Sequence, residues 1–434
     1  MIIDAISYSN ETGNVDHINT INDYIKKLIE SYNVNIDGHI ILQQCVECLK
    51  YISSDEYKDY IRLYRYKLSN GETWNVIECK YSKFVNNSNF DYNYYYNKIT
   101  GETCRYGITI DCDPVMCNLG PEILDLEISV NGCPTIGGAN CKYCYKNNTN
   151  ADPINMTYDT FVDIISRFPK NLSQIAFGIT GMETNPDFPK MLQYCYENGI
   201  TPNYTTSGAG ITKEKLRDPN SQIRKVLAAT AKYCGAVAVS CYTGNKQLCY
   251  QTMKLLHAVS LGKLHINMHI VLSKENMDHI FDVLNDIKND KLQLMRNIVF
   301  LRIKPVGRAA RMDTSLSIQE MAQVIEYCDN FNIGYGFDSC SAHNAIEIYK
   351  HQKRFDLIKY CEPCESSKFS SYINVNGIYW HCSFCENLKG YDGINVLKYD
   401  NFNTIWLGEE IEKFRNPETR VSKSCQAFDL DLCK

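Results

Sequence analysis

The sequence predicts an α/β protein whose central part is a parallel sheet or barrel, with an α+β region before it and a small cysteine-rich region after it. From about residue 121, short apolar segments alternate with longer helical patterns, as parallel α/β structures require. Beyond Gly334 this alternation ends, and the chain becomes loop-rich and dense in cysteine. We therefore place domains at residues 1–120, 121–332 and 333–434.

The first domain shows helical and strand-like patterns but no recognisable motif. Helical patterns run from Asn19 to Tyr32 and from Ile40 to Tyr51. Aromatic, strand-like stretches follow around Tyr60 to Tyr66 and Trp74 to Tyr81. We expect a polar, aromatic loop from Asn86 to Tyr96.

The second domain contains six predicted strand-helix units. One more helix is predicted from Leu316 to Phe331. Most of the strands are short and rich in β-branched or aromatic residues, as expected of buried parallel strands. The predicted strands are Ile123–Val130, Gln174–Gly178, Pro202–Thr206, Ala236–Cys241, Ile266–Leu272 and Ile298–Ile303.

Charge and hydropathy exclude several classes of partner. The net charge is -5 and no long run of like charges occurs, so a nucleic-acid or anionic-membrane surface is not indicated. Met1 to Asn10 lacks the pattern of a signal peptide, and the most apolar stretches are far shorter than a membrane span. We expect a cytoplasmic protein whose 21 cysteines are reduced, and thiol-rich chains of this kind usually bind metal.

Three cysteines, Cys133, Cys141 and Cys144, follow directly on the first predicted strand. In α/β barrels the reactive groups sit on loops at the carboxyl ends of strands, and Gly137-Gly138 lets this loop curl. Three thiolates can hold an iron-sulfur cluster and leave one iron open for chemistry, whereas structural zinc sites have four ligands. A zinc site completed by a distant residue, or buried free thiols, are the alternatives at this point.

This segment resembles the signature of the radical S-adenosylmethionine (SAM) superfamily, CxxxCxxC with an aromatic residue before the last cysteine. Here the spacing is Cx7CxxC, and Tyr143 occupies the aromatic position. The longer first gap departs from the family pattern without removing a ligand. The resemblance implies a 4Fe-4S cluster bound by Cys133, Cys141 and Cys144, together with SAM.

Further elements of the family follow in order after successive strands, and the resemblance covers about residues 121 to 312. Thr180-Gly-Met-Glu183 resembles a degenerate GGE motif, which holds the amino group of SAM. Thr205-Thr-Ser-Gly208 resembles the TTNG element, and Lys304-Pro-Val-Gly-Arg-Ala-Ala-Arg311 closely resembles PxGRA. The cofactor-binding residues that the resemblance implies are Tyr143, Gly181, Glu183, Thr206, Ser207, Ser240, Asn276 and Gly307.

Each of these elements also has a plainer interpretation when it is taken alone. The turn after the second strand is rich in glycine and proline. Arg308 and Arg311 could clamp carboxylates or form a solvated basic turn, and Gly307 permits close backbone approach to a ligand. We expect His265 and His269, which share one face of a strand, to be core or pore-facing histidines rather than metal ligands.

The third domain contains two CxxC pairs, whose separation fits a zinc ribbon. Gly377-Ile-Tyr-Trp-His-Cys382 resembles the Gx4C element of the SPASM and twitch extensions, which hold auxiliary 4Fe-4S clusters. The full SPASM pattern is incomplete, so we expect one auxiliary cluster, with zinc as the alternative. The candidate ligands are Cys340, Cys361, Cys364, Cys382 and Cys385.

The resemblance implies a partial (β/α)6 TIM-like barrel and an enzyme of the oxidoreductase or maturase type. Such enzymes cleave SAM reductively to a 5′-deoxyadenosyl radical that abstracts hydrogen from a substrate. Because related extensions often accompany peptide modification, the leading hypothesis is maturation, crosslinking or oxidation of a peptide or protein side chain. Residues 1–120 are then a candidate recognition module, and flavodoxin or ferredoxin is the expected electron donor. The alternatives are a small-molecule or nucleoside substrate, or a zinc-binding interaction protein without SAM chemistry.

Overall fold

The protein is described by a computed structural model that divides into two compact units. One unit contains the described residues up to Glu122 and the short segment Pro169–Ser173, and the other contains the remainder. The predicted N-terminal helices and Gly137-Gly138 lie outside the described residues. The described residues are 62–109, 112–134, 140–289, 292, 294–304, 306–311, 316–358, 360–362, 364–386 and 393–416.

The first unit is an antiparallel sheet of five strands in sequential order. The two predicted strands of this region are confirmed, but the predicted loop from Asn86 to Tyr96 is wrong, because it contains the end of one strand and most of the next. Its asparagines suggested a polar loop, but Tyr94 and Tyr96 are fully buried and tyrosine favours strands. The strands are β1 (Arg62–Lys67), β2 (Thr73–Glu78), β3 (Ser82–Asn87), β4 (Asn93–Asn97) and β5 (Thr103–Tyr106).

The segment Pro169–Ser173 completes this unit through hydrogen bonds to three parts of it. The Lys83 Nζ donates to the carbonyl oxygen of Leu172 at 2.5 Å, and the amide of Lys170 donates to the hydroxyl of Tyr66 at 2.9 Å. Asn171 Nδ2 donates to the carbonyl of Gly120 at 2.8 Å. Lys83 is only 1% exposed, and burial lowers its pKa to about 7.

The second unit is built on a sheet of ten strands. Eight neighbouring strands pair in parallel, and the last two pair antiparallel. The six predicted strands are confirmed, although the first divides into β6 and the short β7, which pairs with β8. The strands are β6 (Ile123–Glu127), β7 (Ser129–Val130), β8 (Ile154–Asn155), β9 (Gln174–Gly178), β10 (Thr201–Thr206), β11 (Ala236–Ser240), β12 (His265–Leu272), β13 (Asn297–Arg302), β14 (Tyr335–Phe337), β15 (Ser370–Ile373), β16 (Ile378–Trp380) and β17 (Ile394–Asn395).

Helices follow most of the parallel strands, and no helix among the described residues is long and apolar enough to cross a membrane. The predicted helix from Leu316 to Phe331 is confirmed and begins with a capping box between Ser317 and Glu320. The helices are α1 (Tyr158–Ser166), α2 (Phe188–Glu197), α3 (Lys213–Arg217), α4 (Gln222–Tyr233), α5 (Lys246–Val259), α6 (Met277–Lys288), α7 (Ile318–Asn330), α8 (Ala342–His351), α9 (Phe355–Ile358), α10 (Phe402–Trp406) and α11 (Glu409–Arg415).

The cysteine-rich region contains more regular structure than the sequence predicted. Beyond Gly334 the chain forms four strands and four helices among the described residues rather than mainly loops. Strand β15 pairs in parallel with β6, so this region continues the main sheet. The short lengths of these elements explain why their periodicity was weak in the sequence.

The two faces of the main sheet differ in chemistry. One face is apolar, and Phe177 of this face contacts Phe161 of α1 and Phe188 of α2, with ring centroids 5.9 and 5.4 Å apart. The opposite face carries small and polar side chains. Residues that pair in register on neighbouring strands lie on the same face of a sheet. Asp125 pairs with Ala176 in one such row, and Ser240 pairs with His269 in another. Asp125, Ser240 and His269 therefore lie on this polar face.

Candidate metal and cofactor site

The cysteine loop, whose described residues are 131–134 and 140–151, begins where β7 ends, and backbone hydrogen bonds join its two ends. The amide of Gly132 donates to the carbonyl of Ala151 at 2.8 Å, and that of Cys133 donates to Thr149 at 2.9 Å. Asn131 has a φ of 60° and accepts the amide of Thr149 on its side-chain oxygen at 3.1 Å. These contacts place Cys133 at the start of the loop and fix its backbone direction.

The structure brings the three predicted cluster cysteines close enough for their charges to interact. Burial raises the pKa of Cys133, and the neighbouring Cys144 and Cys141 raise it further. Burial is also the largest cause of the raised pKa of Cys141, while the amide of Tyr143 and the guanidinium of Arg308 act in the opposite direction. Bringing the three thiolates together therefore requires compensation by a cation.

The donor set suits a cluster with an open iron, because three thiols lie near enough to influence one another and Arg308 supplies positive charge. No three His, Cys, Asp or Glu side chains in the described part of the chain already have the geometry to hold a metal ion. The assignment of Cys133, Cys141 and Cys144 as ligands therefore stays a prediction.

Arg308 holds the cysteine loop through hydrogen bonds to backbone carbonyl groups of the loop. Its amide donates to the carbonyl of Cys144 at 3.0 Å, and its Nε donates to the carbonyl of Cys141 at 2.8 Å. Its Nη2 donates to the carbonyl of Asn148 at 2.8 Å. Of the two alternatives, a carboxylate clamp or a solvated basic turn, neither describes Arg308, whose guanidinium and amide together bind three carbonyl groups of the loop.

Gly307 makes the close approach that the sequence predicted, but the partner is the cysteine loop itself. The residue has a φ of 62°, and a Cβ atom there would lie 2.3 Å from the carbonyl oxygen of Tyr145. It would also lie 2.6 Å from the carbonyl oxygen of Cys144. Only glycine allows this contact, so Gly307 and Arg308 together fix the segment from Cys141 to Tyr145.

Tyr143 and Asn276, both predicted to bind the cofactor, contact each other. The hydroxyl of Tyr143 donates to Asn276 Oδ1 at 2.9 Å, and the hydroxyl of Thr243 donates to the same oxygen at 3.1 Å. Asn276 Nδ2 donates to the carbonyl of Val271 at 3.0 Å, and the residue is 1% exposed. The Asn276 amide is therefore occupied by contacts within the protein, and its oxygen orients the Tyr143 ring.

The Thr180–Glu183 segment lies beside the start of the cysteine loop. The Cys133 Sγ is 3.7 Å from the carbonyl oxygen of Thr180, and a Cβ on Gly181 would lie 2.8 Å from Pro134. Glu183 forms an ion pair with Lys215 of α3 and is half-buried. The predicted amino-group site and the first predicted cluster ligand are therefore neighbours.

The remaining predicted cofactor residues occupy different faces of the sheet. Ser240 is buried at the end of β11, whereas Thr206 pairs with Val239 and so faces the opposite side. The hydroxyls of Thr206 and Ser207 accept the amides of Gly208 and Ala209 at 3.1 and 3.3 Å. These two side chains thus stabilise the turn after β10.

Tyr242 is a residue of this site that the sequence analysis missed. Burial raises the pKa of Tyr242, and the neighbouring Cys141 raises it further, while Ser240 lowers it. A hydroxyl that donates to a thiolate stabilises it, in agreement with the lowering effect of Tyr242 on the Cys141 pKa. The signal was its position two residues beyond Ser240, in the loop at the carboxyl end of β11.

The structure brings together Cys382 and Cys385 of the C-terminal region. The Sγ atoms of Cys382 and Cys385 are 3.4 Å apart, and the hydrogen bond from Cys385 lowers the pKa of Cys382. The Cys361 Sγ lies 3.6 Å from the carbonyl of Leu357, and burial raises its pKa. The backbone carbonyl of Cys340 accepts Arg302 Nη1 at 3.3 Å. A site that unites these cysteines and Cys364 stays a prediction.

The two histidines of β12 have different surroundings. The His265 Nδ1 lies 2.6 Å from Arg296 Nη1, whereas His269 is in register with Ser240 on the polar face. Burial lowers the pKa of His269 to about 4, with a smaller opposing effect from Asp338 and a further lowering from Lys304. His269 is therefore uncharged in the folded protein near neutral pH.

We expect His269 to weaken the fold as the pH falls from about 6.5 to about 4. In this range the unfolded chain binds a proton at this position and the folded chain does not, so protonation favours unfolding. The Tm of the His269→Gln variant should therefore decrease less between pH 7 and pH 4.5 than the Tm of the wild type. Circular dichroism melts of both proteins measure this, with the exposed His343→Gln as control. Equal slopes for wild type and His269→Gln would contradict the prediction.

The fold is similar to that of several solved structures. SuiB of Streptococcus suis bound to S-adenosylmethionine is 14% identical at a TM-score of 0.52, and the match covers 72% of this chain and 71% of that chain. SuiB bound to the precursor peptide SuiA is 14% identical at a TM-score of 0.53, covering 72% and 70%. A further structure of SuiB is 13% identical at a TM-score of 0.53, covering 71% and 72%.

No protein-family model and no curated protein sequence match the chain. At this level of identity the structural similarity establishes a shared fold. The predicted α/β architecture with a parallel sheet is confirmed, and the shared fold agrees with the resemblance stated from the motifs.

Proposed function

We propose that the chain is a radical SAM enzyme that modifies a peptide or protein side chain. In this proposal residues 121–332 form a partial (β/α)6 barrel, and Cys133, Cys141 and Cys144 hold a 4Fe-4S cluster. The observation that carries the proposal is the clamp of Gly307 and Arg308 on the cysteine loop. Two motifs far apart in sequence, each predicted from the same family, thus meet at one site.

The residues at the polar end of the sheet fit the proposed cofactors. A cluster with an open iron would bind SAM and supply the electron for its reductive cleavage to a 5′-deoxyadenosyl radical. Arg308 donates to the carbonyl of Cys141 and so holds this segment in a fixed position. Glu183, near Cys133, offers a carboxylate for the SAM amino group. To bind it, Glu183 would first have to release Lys215, its ion-pair partner.

A peptide substrate is favoured by one of the solved structures with the same fold, which contains a precursor peptide. We propose residues 1–120 as the recognition module, residues 333–434 as the auxiliary-cluster domain, and flavodoxin or ferredoxin as electron donor. The auxiliary site would draw its ligands from Cys340, Cys361, Cys364, Cys382 and Cys385, with zinc as the alternative metal. A small molecule or nucleoside is the alternative substrate.

Anaerobic reconstitution of the full chain tests the proposal. With dithionite and SAM, we expect 5′-deoxyadenosine to form at a rate far above that of a sample without protein, and the protein to contain about 4 to 8 iron atoms. Mass spectrometry of a small peptide encoded beside the gene should show loss of hydrogen mass. Colourless protein with stoichiometric zinc and no 5′-deoxyadenosine would instead support a zinc-binding interaction protein.

A further inference from the structure

Lys146, two residues after the last cysteine of the loop, lies at the centre of a buried ionic cluster. Its Nζ is 3.2 Å from Glu127 Oε1 and forms a second ion pair with Glu386. It also donates to the hydroxyl of Tyr372 at 2.5 Å. The side chains of Lys146, Glu127 and Glu386 are only 12%, 5% and 13% exposed. We call Lys146, Glu127, Tyr372 and Glu386 the Lys146 cluster.

The Lys146 cluster joins segments that are distant in sequence. Glu127 ends β6, Tyr372 belongs to β15, and Glu386 directly follows Cys385. The Tyr372 hydroxyl donates to Glu386 Oε2 at 2.8 Å, and Asn374 Nδ2 donates to Glu386 Oε1 at 2.7 Å. Both carboxylate oxygens of Glu386 are therefore bound, and its backbone is held where the turn of the C-terminal cysteine pair ends.

A second set of contacts holds the same turn from its other side. The centroid of the Tyr145 ring lies 4.6 Å from that of the Phe384 ring, and the neighbouring Ser383 lowers the pKa of Tyr145, which burial raises. The Lys304 Nζ lies 5.0 Å from the centroid of Phe384. The residues between Cys382 and Cys385 thus contact Tyr145, which directly follows Cys144 in the cysteine loop.

Burial makes the Lys146 contacts energetically important. An exposed ion pair contributes little, but removing one partner of a buried pair leaves an uncompensated charge in a medium of low dielectric constant. The same loop contains an exposed pair for comparison. The Lys142 Nζ and Glu275 Oε2 are 2.5 Å apart, with side chains 51% and 44% exposed.

We propose that Lys146 is a positioning residue that holds the C-terminal cysteine pair, Cys382 and Cys385, against the cysteine loop. The inference rests on the proposed function only in treating these two groups of thiols as metal ligands. The position of the turn from Cys382 to Glu386 depends on the side chain of Lys146, which belongs to the cysteine loop. The Lys146 cluster thereby couples the two cysteine motifs.

Hydrogen exchange of the full chain tests this coupling without SAM or substrate. In Lys146→Met we expect the amides of residues 378–386 to exchange about tenfold faster or more, because the charge that fixes Glu386 is lost. The amides of residues 141–146 should change little, since Arg308 and Gly307 still hold them. Lys146→Arg should restore slow exchange, and the control Lys142→Met should match the wild type.

Metal analysis of the same anaerobically reconstituted variants adds a spectroscopic readout. If the cysteine loop and the C-terminal site each hold a cluster, Lys146→Met should contain about half as much iron as the wild type. The electron paramagnetic resonance spectrum of the reduced variant should keep the signal of the cluster in the cysteine loop. Glu386→Gln serves if Lys146→Met does not fold. Unchanged exchange at residues 378–386, or faster exchange spread over all strands of the sheet, would overturn the inference. Failure of the wild type to cleave SAM would count against the proposed function alone.

Discussion

Replacing Cys141 with alanine is expected to reduce the formation of 5′-deoxyadenosine by about 100-fold or more. Loss of groups that merely orient metal ligands already costs about 10- to 100-fold, and this change removes a proposed ligand itself. Cys141 is the thiol best supported by its surroundings, because Tyr242 and Arg308 oppose the rise of its pKa and Arg308 binds its carbonyl. The measurement is chromatography of reaction mixtures that contain dithionite and SAM.

The control for this experiment is Cys112→Ala, which removes an exposed thiol in the other compact unit. We expect the control to match the wild type in iron content and in 5′-deoxyadenosine. Cys141→Ala should retain less iron and should fold, since the backbone contacts of Arg308 do not require the thiol. As much 5′-deoxyadenosine from Cys141→Ala as from the wild type would show that the cluster assignment is wrong.

Replacing Gly307 with alanine is expected to be the most damaging single-methyl change near the site. The new Cβ would lie within 2.6 Å of three backbone atoms of Cys144 and Tyr145, and backbone atoms cannot move aside as a side chain can. The positive φ of 62° adds strain for any residue with a Cβ. We expect a loss of about 3 kcal/mol or more in the free energy of unfolding.

Gly336→Ala is the matched control, because no atom lies within 4 Å of the Cβ position in β14. Thermal melts should show a lower Tm for Gly307→Ala than for Gly336→Ala. Iron content after reconstitution should follow the same order, since the displaced segment carries Cys144. Similar melting and iron content in both variants would mean that the loop can shift without cost.

Local sequence patterns were sufficient to predict the strands of the main sheet. A short parallel strand whose helix-facing side is apolar has a clear signature, and β9 has the bounds that the sequence predicts. The position of the cysteine loop could be predicted for the same reason, because it directly follows such a strand. The Tyr-rich β4 was missed because its flanking asparagines resemble a loop.

The contacts that shape the site could not be predicted from local patterns. Lys146 and Glu386 are 240 residues apart, and no periodicity relates them. The sequence left a carboxylate clamp and a solvated basic turn open for Arg308, but its partners are backbone carbonyls, which carry no sequence signal. The motifs thus identified residues of the site, whereas their partners depend on how distant loops meet at the end of the sheet.

The segment Pro169–Ser173 has a consequence for how the protein is made. The strands of the first unit leave the ribosome before this segment, which follows Glu122 by roughly 50 residues, or about 3 to 10 s of synthesis. During that interval the Lys83 ammonium lacks the Leu172 carbonyl that it binds in the finished fold. A fragment cut at residue 120 would lack this contact permanently, so we expect it to be less stable than the same unit in the full chain.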